Sequence, residues 1–208
     1  ALHPNFEENK KIYIYQTNLE LEFFKNKVFS FTVDGDELID MQTVIDDIPG
    51  APWHDGGRIA FGPDEKLYIT TGDAVNPGWS QDLSSLAGKI LRINQDGTIP
   101  DDNPFDSITI FSYGHRNPQG IAWNEDGLLV SSEHGPSGEM GYGHDEINVI
   151  VKGKNYGWPK VVGDSSDDSY VNPIIHSGEQ TWAPSGMVFY SSDKISSLEG
   201  KFLVGALR

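Results

Sequence analysis

Two short polar segments carry the side chains best suited to chemistry: His54-Asp55-Gly56-Gly57-Arg58 and Tyr113-Gly114-His115-Arg116-Asn117-Pro118-Gln119-Gly120. A neutral imidazole accepts a proton near neutral pH because its ordinary pKa lies at about 6.5, and a nearby carboxylate can orient it. A guanidinium is a permanent cation that can face negative charge as it develops in a reaction. Each segment stands directly before the same pattern of strand, turn and strand, Ile59-Ala60-Phe61-Gly62-Pro63-Asp64-Glu65-Lys66-Leu67-Tyr68-Ile69-Thr70 in one case and Ile121-Ala122-Trp123-Asn124-Glu125-Asp126-Gly127-Leu128-Leu129-Val130-Ser131 in the other. Ionisable clusters at the entrance to a repeated β-unit gather reactive groups at one end of a radial array.

The elements that must position these groups are short strands. Four stretches share the pattern: Ala1 to Thr17, Arg58 to Thr71, Gly120 to Ser132 and, more loosely, Gly186 to Leu207. Aligned on Leu2, Ile59, Ile121 and Met187, they recur at intervals of roughly 57, 62 and 66 residues, with the excess over a minimal four-stranded blade going to loops. Further strands lie between them, such as Lys27 to Val33 before Asp34-Gly35 and Lys89 to Asn94 before Asp96-Gly97, where the Asp-Gly pairs signal hairpins. Gln81 to Gly88 reads as a short helical turn. The expectation is an all-β propeller with units at 1–57, 58–119 and 120–185 and an incomplete one at 186–208. That is about three and a half blades, where closed propellers use four to eight. An open arc exposes strand edges and apolar faces, so the chain is expected to self-associate or to pair with the missing half of its ring.

The 208 residues include 31 acids against 15 Lys and Arg, a formal net charge of -16, and 37% are hydrophobic. That apolar share is enough to build a core, while the charge repels nucleic acid and anionic membrane surfaces. A neutral or cationic ligand is the easier partner, and carboxylates in Gly- and Asn-rich loops are hard donors suited to calcium. Taken singly, most of these acids read as solvated surface. With no cysteine, disulfides, zinc-thiolate sites, iron-sulfur clusters and thiol catalysis are excluded. No apolar run reaches the roughly 20 residues of a membrane span. No signal peptide is visible, and the chain starts inside a strand unit, so the true N-terminus is expected upstream of Ala1.

The ordered motifs His54-Asp55-Gly56-Gly57-Arg58, Thr71-Gly72-Asp73, Gly88-Lys89-Ile90-Leu91-Arg92-Ile93-Asn94-Gln95-Asp96-Gly97-Thr98-Ile99-Pro100, Gly114-His115-Arg116-Asn117-Pro118-Gln119-Gly120, Ser132-Glu133-His134-Gly135-Pro136, Asp145-Glu146-Ile147-Asn148 and Asn155-Tyr156-Gly157-Trp158-Pro159 span the chain. Together they resemble the soluble glucose and aldose sugar dehydrogenases that depend on pyrroloquinoline quinone. The resemblance implies a six-bladed propeller, a periplasmic or secreted location, an aldose substrate oxidised at its C1 hydroxyl to the lactone, and an external electron acceptor. It also implies calcium.

Residue by residue, His54 matches the general base, Asp73 the carboxylate that orients it, and Arg116 with Asn117 the pair that contacts the quinone. Gly135 and Pro136 match the carbonyls that bind the active-site calcium. Glu146, Tyr156 and Asp164 match a second calcium site. Thr181 and Trp182 lie where the family approaches the cofactor, and Arg208 stands at the position of a cationic contact that is lysine in some relatives. The family's glutamine contact and its later cofactor-clamping arginines fall outside the matched stretch, so the isolated 208 residues are expected to bind the quinone poorly and to be inactive. Two other readings of these motifs stay open: a non-catalytic calcium-binding propeller that serves as an interaction module, and a calcium-dependent lactonase-type hydrolase. The combination of His54 and Asp73 with Arg116 and Asn117 favours the dehydrogenase.

Overall fold

Alternating apolar and polar residues become antiparallel strands in a computed structural model that describes residues 1–137 and 141–208. β1 (Lys11–Glu20), β2 (Phe23–Asp34) and β3 (Glu37–Pro49) form the first sheet, which Leu2 joins by a single bridge to Ile12. The second sheet runs β4 (Ile59–Phe61), β5 (Leu67–Thr71), β6 (Lys89–Ile93) and β7 (Ile110–Tyr113). The third runs β8 (Pro118–Trp123), β9 (Leu129–Glu133), β10 (Glu146–Val149) and β11 (Ile175–His176), and β12 (Pro184–Tyr190) pairs with β13 (Lys201–Ala206) in the fourth. Leu2, Ile59, Ile121 and Met187 therefore occupy the opening segment of successive sheets. Neighbouring sheets meet through these segments: β12 packs on β8 and β9, β8 on β4 and β5, and β4 on β1. Among the described residues, no helix is long and apolar enough to cross a membrane.

The second sheet is covered on both faces, and β5 and β6 are buried from end to end. Strand periodicity divides their side chains between two cores. Leu67, Ile69, Leu91 and Ile93 join Tyr13, Val28, Ile48 and Ile110 on the side of the first sheet. Tyr68 and Ile90 join Ile121, Leu129, Ile150 and Tyr156 on the side of the third. Each of the aliphatic side chains contributes on the order of 1.5 to 3 kcal/mol by burial, which fixes the strand ends from which the site residues project.

Three local expectations shift. The helical turn lies at Pro77–Gln81 rather than Gln81 to Gly88, with proline at its start, where a missing N–H costs nothing. The first hairpin loop is Gly35-Asp36, one residue beyond the expected pair, because Asp34 still pairs with Glu37 and Gly35 takes the φ of 59° that the turn requires. Asp96-Gly97 makes a local turn but no hairpin, since β7 begins only at Ile110. The long connection is held instead by Arg92, whose guanidinium binds Asp64, Asp102 and Asn103.

Candidate active site

β5 runs out into Gly72 and Asp73, and the His54 loop lies directly on this turn. A Cβ at Gly72 would fall 1.8 Å from the His54 carbonyl oxygen, so only glycine permits the approach. His54 itself has a φ of 64°, a left-handed backbone that sharply redirects the chain before β4. Its Nδ1 stands 2.9 Å from Asp73 Oδ1, which also accepts the Val75 N–H at 2.9 Å. Asp73 Oδ2 accepts the Trp158 indole N–H at 2.9 Å. Asp73 is 1% exposed, so its charge is held by three donors rather than by water. The pairing selects the tautomer with the proton on Nδ1 and leaves the Nε2 lone pair of His54 for a substrate.

Arg116 sits on the turn entering β8, and Asp73 N–H donates to its carbonyl at 2.7 Å. Glu133, at the end of β9, builds this turn from below: one carboxylate oxygen accepts the N–H groups of Arg116 and Asn117, and the other pairs with His115 Nδ1 at 2.9 Å. His115 Nε2 reaches Ser112 Oγ at 2.8 Å, and its ring stacks on Tyr156. Ser112, His115 and Glu133 have the linkage of a hydrolytic triad, yet Ser112 and His115 are 0% exposed and no substrate can reach the hydroxyl. Their role is to lock the Arg116-Asn117 turn. Among the described residues, the Arg116 guanidinium has two long hydrogen bonds, 3.4 Å to the His134 carbonyl and 3.3 Å to Ser137 Oγ, and lies over the Trp158 ring at 5.4 Å. Burial pushes its pKa down, opposed by Asp73, Glu133 and Asp145, and a guanidinium remains charged regardless. The Asn117 side-chain Oδ1 accepts the Gly56 N–H at 3.0 Å and so ties the two polar segments together.

His54, Asp73, Arg116 and Trp158 line one cleft of about 570 Å³, with Trp53, Val75 and Pro77 on its apolar side. The Pro77–Gln81 turn is held by Lys89, a fully buried lysine whose Nζ donates to the carbonyls of Trp79, Ser80 and Ala87 at 2.7, 3.2 and 2.6 Å. Burial pushes the Lys89 ammonium down to about 7.

Behind Arg116 lies a cavity of about 20 Å³, lined by Glu133, Gly135, Pro136, Glu146 and Tyr156 among others. That volume suits one water-sized or ion-sized guest. Glu146 and Glu133 are directly paired on β10 and β9, so two carboxylates face each other across the strands. Burial, and then Glu133, pushes the Glu146 carboxyl up to about 8. Among the described residues, no group of three or more His, Cys, Asp or Glu is arranged to hold a metal ion. The hard-donor character here comes from this carboxylate pair and from backbone oxygens. The Tyr156 hydroxyl is excluded as a donor, since it gives its proton to the Val149 carbonyl at 2.6 Å and accepts the Val151 N–H at 2.8 Å. Only its carbonyl remains for a ligand. Asp164 is solvent-exposed and 3.6 Å from His176 Nε2, next to Gly163, whose N–H donates to Glu146 at 3.2 Å.

Thr181, Trp182 and Arg208 are not among the residues that line the His54 cleft. Trp182 and Ala183 donate their N–H groups to Asp145 Oδ2 at 2.7 and 2.9 Å, Asp145 Oδ1 accepts the Gly135 N–H at 2.8 Å, and the Arg208 N–H closes on the Trp182 carbonyl at 3.1 Å. Sequence reasoning gave no role to Asp145, Glu133 or Trp158. Each lies inside one of the ordered motifs, within two residues of one with an expected role, and for Asp145 a short acid next to a glycine-containing loop is the signal for side-chain capping of backbone N–H groups.

Two four-stranded antiparallel sheets between a three-stranded and a two-stranded one, meeting through their opening strands with the polar cleft at the loops between them, have the architecture of a β-propeller. The chain belongs to the glucose/sorbosone dehydrogenase family, whose model matches residues 1–208. It is 36% identical over 206 residues to quinoprotein glucose dehydrogenase B of Acinetobacter calcoaceticus, covering 82% of this chain and 41% of that protein. It is 35% identical over 231 residues to the aldose sugar dehydrogenase YliI of Escherichia coli, covering 100% of this chain and 61% of that protein. The structure superposes on the PQQ-bound aldose sugar dehydrogenase of Streptomyces coelicolor with a TM-score of 0.88 at 36% identity, over 100% of this chain and 59% of that one. The chain thus spans about half the length of the curated relatives it matches.

Proposed function

We propose that the whole protein is a sugar dehydrogenase that oxidises the C1 hydroxyl of an aldose to the lactone, using pyrroloquinoline quinone and calcium. The observation that carries this reading is the His54–Asp73 pair opening onto the same cleft as a buried, under-bonded Arg116. A cation with two long hydrogen bonds among the described residues fits an anionic cofactor, and the hard oxygens behind it fit calcium.

Bound quinone supplies the two-electron acceptor for the hydride leaving C1. His54 Nε2 takes the hydroxyl proton, and the resulting imidazolium is stabilised by the Asp73 carboxylate through Nδ1–H. Arg116 faces the cleft as a cation carried on a backbone turn that Glu133 holds in place, so the turn needs no rearrangement as charge develops. Residues proposed to hold the cofactor are Arg116, Thr181, Trp182 and Arg208, with Asn117 supporting the turn that presents Arg116. The carbonyls of Gly135 and Pro136 would take one calcium, and Glu146, the Tyr156 carbonyl and Asp164 a second. Each set is short of the 6 to 8 oxygens calcium takes. We further infer four blade units at 1–57, 58–119, 120–185 and 186–208, with the rest of the ring or a second copy closing the open ends. A periplasmic or secreted location and an external electron acceptor accompany this reading.

Quinone titration of the full-length protein in calcium, followed by dye-linked assay with aldoses, tests it. Saturable quinone binding with aldose-dependent dye reduction is expected. Binding without turnover on any aldose would instead favour the interaction module.

A further inference from the structure

Asp73 and Arg116 bring an anion and a cation into one cleft. Among the described residues, Asp73 forms its ion pair with His54, while Arg116 forms none. A guanidinium and a carboxylate this close would ordinarily find the bidentate pairing that is the strongest available to either. The group that stands between them is Trp158. Its indole N–H occupies Asp73 Oδ2 at 2.9 Å, and the face of its ring lies 5.4 Å from the Arg116 guanidinium carbon. The indole is itself clamped: Trp158 is 6% exposed, its backbone N–H donates to the Gly114 carbonyl at 2.9 Å, and its carbonyl accepts Gln81 Nε2 at 2.7 Å.

We propose that Trp158 is a positioning residue that keeps the base and the cation apart. It ties down one Asp73 oxygen so that the other stays on His54, and it offers Arg116 a ring face in place of the carboxylate, leaving the guanidinium directed at the cleft. This rests on the reading of His54 as the proton acceptor. The charged groups surrounding the pair are Arg116 and Glu133 from the third sheet and its entry turn, Asp145 beyond Arg116, and Asp55 beside His54. None of them donates a hydrogen bond to Asp73 Oδ2, which among the described residues is held by the indole N–H.

Two variants separate the two duties. Trp158→Phe keeps an aromatic face for Arg116 and removes the N–H; Trp158→Leu removes both. The readout is the ¹⁵N spectrum of the His54 imidazole in the cofactor-free full-length chain, assigned with His54→Gln and followed through a pH titration, with circular dichroism to confirm folding. The parent should show the proton on Nδ1. In Trp158→Phe the titration midpoint should rise by about half a pH unit or more, because a carboxylate relieved of one donor holds the imidazolium more strongly. In Trp158→Leu the Nδ1–H signal should be lost as Arg116 moves onto Asp73. An unchanged midpoint in folded Trp158→Phe would overturn the proposal, and a retained Nδ1–H signal in folded Trp158→Leu would overturn the separating role. If Trp158→Leu does not fold, Trp158→Phe decides alone. Since no turnover is measured, the outcome is independent of whether His54 is the base. That separate reading fails if His54→Ala retains activity.

Discussion

Asp73, fully buried, and Glu146, half-buried, are two acids beside the Arg116 turn, and they are built in opposite ways. Asp73 is met by three donors, the His54 imidazole, the Val75 N–H and the Trp158 indole, so its negative charge is satisfied within the protein. Glu146 has two donors, Asn148 and Gly163, and faces Glu133 across the strand pair, with Asp164 nearby. Burial and these like charges push it up to about 8. The difference teaches how one fold prepares an acid for two purposes. A carboxylate surrounded by fixed donors keeps its charge beside an imidazole, while a carboxylate facing another across a strand pair is pushed toward its neutral form.

The largest effect is expected where the Asp73 side of the comparison meets chemistry. His54→Ala in the full-length, cofactor-loaded protein should lower turnover by about 10² to 10⁴, the usual contribution of a general base, with an unchanged circular dichroism spectrum. Steady-state assay checks this.

Lys89 sharpens the comparison from the cationic side, because its three carbonyl partners give its ammonium hydrogen bonds but no counter-charge within the buried site. Its folded pKa of about 7 lies below the ordinary value of 10.5, so the unfolded chain binds more protons between those values. Stability should therefore rise with pH from about 7 to 10.5 in the parent, relative to Lys89→Met. The gain should reach a few kcal/mol and stay under about 5. Denaturant titrations of both chains at about pH 6.5, 8 and 9.5 should show it, and parallel curves would refute it.

Asp73→Asn keeps the shape and removes the charge, leaving the Val75 and Trp158 donors and the imidazole to compete for a single carbonyl oxygen. A loss of about 1 to 3 kcal/mol is expected by the same titration. Glu146→Gln should do the reverse: stability of the metal-free chain at pH 7 should change by less than about 1 kcal/mol, because no cation is lost. Calcium affinity by calorimetry should fall about tenfold or more. Equal destabilisation by the two substitutions would erase the distinction between the acids.

Much of this was legible before the fold was known. The spacing of Leu2, Ile59, Ile121 and Met187 located the opening segment of each sheet, because a side-chain period of two over short apolar runs has few other readings. His54, Asp73 and Arg116 were legible as motif residues, and the fold brings them to one cleft. Asp96-Gly97 misled, since a turn signal specifies the local φ and not where the next strand begins. The Arg92 network fills the gap with side-chain bonds that no local rule encodes. The motif marks Tyr156 without saying which of its oxygens is free, and the fold commits the hydroxyl to the Val149 carbonyl and the Val151 N–H at the end of β10. Glu133, Asp145 and Trp158 act through contacts 10 to 85 residues away in sequence, which no pattern along the chain reveals.

The most direct test is a single turnover without oxygen. The full-length protein is loaded with pyrroloquinoline quinone and calcium, mixed with an aldose, and followed by the absorbance of the quinone alongside His54→Gln. The expected result is stoichiometric quinone reduction with lactone formed in equal amount, slowed about 10²-fold or more in His54→Gln. Reduction at the same rate in both proteins, or a bound quinone that no aldose reduces, would contradict the assignment of His54, Asp73 and Arg116 as a sugar-oxidising site.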